Sequence, residues 1–159
     1  MSIEARLRDL HLDLPAPPQP MATYTTAVRH GDLLYVSGTG PLRPDGSYVT
    51  GRLGADMDVA QGQAAARLVA LAMLATVRAH AGSLDAVARI VKVLGFVQAT
   101  PEFTDHPKVM NGFSDLMVEL LGDAGLGARS AVGAPSLPAG IPVEVEAIFA
   151  LRGDAIARP

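Results

Sequence analysis

Cysteine is absent from this chain of 159 residues. That absence removes disulfides, thiolate nucleophiles and Cys-ligated metal centres from consideration. Charge is scarce too: charged residues make up 18% against 49% hydrophobic, so a lone subunit would leave apolar surface in water and an oligomer is expected. Aromatics amount to only 4%, which leaves Ala, Val, Leu and Gly to fill the interior. The 13 Lys and Arg form no run, and the net charge is −3. A protein that grips phosphate backbones needs a basic stripe, so no nucleic-acid partner is expected. Long apolar runs are missing as well. "AAARLVALAMLATV" is broken by Arg67, and the first residues carry acids rather than an apolar signal core. No membrane span and no secretion signal are expected, and the protein reads as cytoplasmic.

What is present fits one domain with a single core. Ile3, Leu7 and Leu10 lie at helical spacing, and "PAPPQP" at 15–20 ends that helix and stiffens the chain after it. The reading is an N-terminal helix and proline-rich linker over residues 1–20, one domain over 21–153, and a tail over 154–159. Two strands are predicted at 23–29 and 33–38 around the turn "HGD". The clearest helix begins at Asp58, where Gln61 completes a capping-box pattern, and ends at Gly82. A β-branched strand at 88–100 follows, then a helix from His106 with Val109, Phe113, Leu116, Met117 and Leu120 as its apolar stripe. "ARSAVGAPSLPAGIPVEVEAIF" (128–149) reads as two strands joined by a Pro/Gly turn. The order ββαβαββ predicts an α+β two-layer sandwich, a mostly antiparallel sheet with two helices on one face. The other face must be wet or packed against another subunit.

Alternation along the last strand sends Val143 and Val145 under the helices and Glu144 and Glu146 the other way. In the strand before it, Arg129 shares a face with the small residues Ala131 and Gly133, which leaves room for a ligand. A guanidinium matches a carboxylate bidentately, and a glutamate can hold water or move a proton. On spacing alone, a cross-strand ion pair or solvated charges would explain the same residues. His11, His30, His80 and His106 show no metal-ligand spacing. "VSGTG" is not a nucleophile elbow, and "GTGPLRPDG" lacks the lysine of a P-loop. Met73, Met110 and Met117 read as core.

Three stretches together resemble the RidA/YjgF family, also known as the L-PSP endoribonuclease family. They are "ARSAVGAPSLPAGIPVEVEAIF", the hairpin "YTTAVRHGDLLYVSG" and the helix "VMNGFSDLM". The resemblance runs from Tyr24 to Phe149. It implies a chorismate-mutase-like fold and a homotrimer with ligand clefts between neighbouring subunits. It also implies a cofactor-free, metal-free hydrolase that turns 2-aminoacrylate-type enamines and their imine tautomers into 2-oxo acids and ammonia. By matching position, Arg129 would bind the α-carboxylate of a small metabolite and Glu144 would activate water. Tyr24, Ser37 and the Gly38 backbone would line the cleft, with Ala131 beside the arginine and Asn111 at a family position. Glu146 receives no role. Ala131 stands where many members have cysteine, "SGTG" replaces "SGQ", and the loop "RPDGSYVTGRLGADMD" is longer than in small deaminases. The alternative is a non-catalytic protein that binds small carboxylates in the same cleft, with a ribonuclease as a distant third. On this reading Arg129 and Glu144, from adjoining strands, converge on a hollow shared by two protomers.

Overall fold

The computed structural model describes residues 2–153, so the tail expected at 154–159 lies outside the described residues. Its elements are α1 (Ile3–Asp9), β1 (Ala27–His30), β2 (Leu33–Thr39), α2 (Val59–Ala81), β3 (Val87–Gln98), α3 (His106–Leu121), β4 (Ala128–Ala134) and β5 (Val143–Leu151). After α1 the order is the expected ββαβαββ. The strands form one five-stranded sheet, β1-β2-β5-β3-β4, antiparallel throughout except where β3 and β4 run parallel. With α2 and α3 packed on it, this is the α+β two-layer sandwich read from the sequence.

One expectation about the sheet fails. The two C-terminal strands do not adjoin, because β3 lies between β4 and β5. A parallel pair needs a long crossover, and α3 supplies it between β3 and β4. The turn after β4 then carries the chain back across β3. Strand β5 enters the sheet between β2 and β3, where Val143, Val145 and Phe149 are wholly buried. The most continuously apolar face in the chain thereby takes the central position.

The first strand is also shorter than expected. β1 starts at Ala27, and Tyr24 precedes it rather than lying within it. The cause sits on the partner strand. Between Val36 and Thr39 the register of β2 against β5 slips, the mark of a β-bulge at Ser37 and Gly38. The regular ladder between β1 and β2 ends at Ala27 opposite Val36, where the bulge begins, and Ser37 holds the residues before it only by single bonds to the Thr26 and Thr25 carbonyls.

Helix α2 forms for the reasons its ends advertise. Asp58 accepts from the Gln61 backbone at 2.8 Å, Gln61 accepts from the Asp58 backbone at 2.9 Å, and Gly82 closes the helix at φ 80°. Its length and composition would allow a membrane span, yet Ala66, Val69, Ala70, Met73 and Val77 are fully buried in the core. Small residues let it approach α3 closely. A Cβ on Gly112 would collide with the Gln63 carbonyl, and one on Gly62 would press on Leu53 and Val109.

Helix α1 docks on the same core through Ile3 and Leu7. Arg78 grips Glu4 with two hydrogen bonds of 3.1 and 2.6 Å, and Asp85 caps the helix by accepting from the Ile3 backbone at 2.6 Å. Leu7→Ala is expected to cost about 2–3 kcal/mol of unfolding free energy, because the buried leucine leaves a cavity that α1 cannot close. A urea melt with unchanged slope would register it.

Candidate functional site

The face of the sheet away from the helices carries Glu144 and Glu146, which lie opposite Phe96 and Leu94 of β3. At one end of this face a cavity of about 530 Å³ opens, lined by Tyr24, Ser37, Gly38, Tyr48, Ile141 and Glu144 among others. The bulge in β2 shapes it. Ser37 donates to the Thr25 carbonyl at 2.7 Å, tying the residues before β1 to the cavity wall. Gly38 lies so close to Glu144 that a Cβ there would collide with the Glu144 carboxylate. Glycine at this position is therefore a condition for where the carboxylate sits.

The Glu144 carboxyl is half-buried, and its pKa is raised above the ordinary 4.5, first by that burial and second by the neighbouring negative charge of Glu146. A raised pKa means that folding favours the protonated form. The associated stability is full below the ordinary value and is lost as pH rises through the shifted one. A carboxylate held in this way gives up and takes back a proton nearer neutrality than a free glutamate does. Gln98 fixes the cavity's far rim. Its side chain donates to the Gly51 carbonyl at 2.9 Å and accepts from the Leu137 backbone at 2.8 Å, so the turn carrying Pro138 and Ala139 is held against the loop at 51.

The second group of residues lies elsewhere. Arg129 sits on the edge strand β4, in register with the buried Val93, so it faces the helix layer. Its Nη1 donates to Asn111 Oδ1 at 3.1 Å and to Ser114 Oγ at 3.0 Å, and its Nη2 donates to the Pro107 carbonyl at 3.2 Å. All three acceptors are neutral. Among the described residues no carboxylate pairs with this guanidinium. The geometry is that of an arginine held in place with its charge still available to an anion. Ala131 packs against the core below it, and a Cβ on Gly133 would collide with the His106 ring, which stands edge-on to Phe103 at 5.5 Å.

Residues 4–149 match the family model described as "YjgF/chorismate_mutase-like, putative endoribonuclease". The chain belongs to this family. A Trypanosoma cruzi relative, Protein TCP17, is 43% identical over 151 residues, which is 94% of each chain. A crystal structure of an Agrobacterium tumefaciens protein of unknown function is also 43% identical, with a TM-score of 0.86 and 94% of each chain covered. The structure of E. coli TdcF with bound serine is 25% identical, with a TM-score of 0.62, over 89% of this chain and 97% of that one.

In this member of the YjgF/chorismate-mutase-like family, the residues singled out from the sequence divide into two sets. Tyr24, Ser37, Gly38 and Glu144 gather at the cavity on the open face. Arg129, Asn111 and Ala131 gather beside α3 on the other face. Within one protomer the guanidinium and the carboxylate do not converge, because β3 separates their strands and they point to opposite sides of the sheet. The cross-strand ion pair that spacing alone allowed is absent for the same reason. Ser114 escaped the sequence reading. Its signal was available: 107, 111 and 114 follow helical spacing, and they supply all three acceptors for Arg129. Tyr48, Thr76 and the linker residues at the cavity were also missed, since they come together only in three dimensions. Among the histidines, His80 shares a hydrogen bond of 3.1 Å with Thr26, and His106 stands over Gly133. Among the described residues no group of three or more His, Asp or Glu is placed to hold a metal.

The open sheet face still exposes Val28, Tyr35 and Val132, each at 42% or more. Exposed apolar side chains on a sheet face are what a second subunit would cover.

Proposed function

We propose that this protein is an enamine/imine deaminase whose complete site forms between protomers, the Arg129 cradle of one meeting the Glu144 cavity of the next. The observation that carries this reading is the separation itself. A guanidinium braced by neutral acceptors and a carboxylate of raised pKa lie on opposite sides of one sheet, and family members assemble as oligomers.

The chemistry asks little of the protein. The α-carboxylate of an imino acid docks on the Arg129 guanidinium, which fixes the imine carbon near the Glu144 carboxylate. Water loses a proton to that carboxylate, and its oxygen bonds to the imine carbon while the C=N π pair moves to nitrogen. The same carboxyl returns its proton to the nitrogen. The carboxylate then takes the proton of the carbinolamine hydroxyl and passes it to the nitrogen as the C–N bond breaks and the C=O forms, and the products are a 2-oxo acid and ammonia. An enamine enters this sequence after tautomerising to the imine. Because one carboxyl both takes and returns the proton, a pKa raised toward the working pH suits both halves.

The test generates imines with an amino-acid oxidase and traps them with semicarbazide. The proposal expects added protein to lower the trapped fraction, and no change across several amino acids would sink it. Bound serine in the TdcF structure favours a second reading, a protein that binds amino or 2-oxo acids in the same cleft without turnover. Calorimetric binding together with an inert trapping assay would select it. A ribonuclease is disfavoured by the net charge of −3 and by the two acids in the cavity.

Glu146→Gln supplies a pH test. Removing the neighbouring negative charge makes ionised Glu144 easier to form, so the acid limb of the rate profile is expected to move to lower pH. It stays above that of an exposed glutamate, because the burial, the larger cause, remains. A limb that stays put or moves upward would show that another group controls it.

A further inference from the structure

The cavity around Glu144 has a wall that the sheet does not supply. Pro18, Gln19, Met21, Ala22 and Tyr24 all line it, and they belong to the linker between α1 and β1. Both ends of this linker are fixed. On one side α1 is bolted to the core through Glu4–Arg78 and Ile3–Asp85, and Leu12 and Leu14 pack against the core after it. On the other side Ala27 enters the sheet opposite Val36. Between them stand Pro15, Pro17, Pro18 and Pro20, which hold the chain extended and semi-rigid. The Tyr24 hydroxyl accepts from the Met21 backbone at 3.4 Å, which folds the end of the linker back over the cavity.

The lining chemistry restricts what can enter. Among the described residues that line the cavity there is no Lys, Arg or His, and its charged members are Glu144 and Glu146. A ligand carboxylate is repelled from such a space and must project out of it. What such a space accepts is a neutral group, for which Met21, Tyr24, Tyr48, Pro138 and Ile141 supply apolar lining. The cavity of one protomer, about 530 Å³ before a neighbouring subunit closes it, has room beyond the methyl or methylene group of the smallest imino acids.

We propose that the linker at residues 18–24 is a substrate-selecting wall, and that it selects imino acids with bulky apolar side chains over the smallest ones. This rests on the reading that Glu144 faces the reacting carbon. The preference follows from burial, at roughly fourfold for each further buried methylene. An isobutyl side chain would gain about 60-fold over methyl on that basis.

The experiment measures binding of pyruvate and of 4-methyl-2-oxopentanoate by calorimetry, alongside trapping rates for the imines of alanine and leucine. Two variants accompany the wild-type protein: the double substitution Met21→Ala/Tyr24→Ala, and Met21→Trp. Met21 is 75% exposed and Tyr24 45%, so neither change disturbs the core. The wild type is expected to favour the larger ligand by tens of fold. The double variant should reduce that ratio by about tenfold, in line with the apolar contact it removes. Met21→Trp should reduce it too, by filling the space the larger side chain needs. A wild-type ratio near one, or variants that leave the ratio unchanged, would overturn the wall. Graded binding without any turnover would leave the wall standing and overturn the deaminase reading alone. The absence of both oxo-acid binding and imine turnover would overturn both.

Discussion

Glu144→Gln is expected to cut imine hydrolysis by at least about 100-fold, the lower end of what a positioned acid–base group contributes. Affinity for a 2-oxo acid should change only a few-fold. Glutamine keeps the shape that Gly38 makes room for, so the cavity stays the same size. It cannot take the proton from water, and the loss falls on turnover rather than on binding. The fold should not suffer, because a neutral amide escapes the burial and the repulsion from Glu146 that raise the carboxyl's pKa. The measurement pairs the semicarbazide assay with calorimetry and a thermal melt. Undiminished turnover in a folded variant would remove Glu144 from the chemistry.

Arg129→Ala should do the reverse and abolish measurable binding of small 2-oxo acids. Two charge-assisted hydrogen bonds to a carboxylate, at about 1.5–3 kcal/mol each, correspond to a loss of 100-fold or more. The three groups that hold the guanidinium are neutral, and Arg129 lies at the edge of the sheet, so water can replace it without stranding a buried charge. The opposed faces make a sharper result possible. If each site takes its arginine from one protomer and its glutamate from the next, inactive Arg129→Ala and Glu144→Gln proteins should rescue each other when unfolded together and reassembled. Random mixing around a closed ring leaves about one site in four intact, so about a quarter of the activity should return. Oligomers that form but recover nothing would show that the two halves do not meet across subunits.

Much of the architecture could be read from residue order. Asp58 and Gln61 announced the start of α2 and Gly82 its end, because caps are local hydrogen-bond chemistry. The alternation of Val143, Glu144, Val145 and Glu146 correctly assigned faces along β5, since that period is a property of the strand itself. Tyr24 was misplaced because its conformation depends on a bulge in the neighbouring strand, and no residue near Tyr24 encodes that bulge. Ser114 was overlooked because its role exists only through Arg129, fifteen positions later in the chain.

Composition, caps and strand periodicity settled by themselves that this chain builds an α+β sandwich without thiols, with acids on the sheet face away from the helices. These are short-range properties, carried by each segment whatever its neighbours. Only the tertiary structure decided that β3 parts the two C-terminal strands, that Arg129 and Glu144 look in opposite directions, and that a linker of prolines walls the Glu144 cavity. Strand order is set by which apolar faces gain most from central burial and by the crossover that a parallel pair demands. That competition runs over the whole chain at once, so no single segment records its outcome.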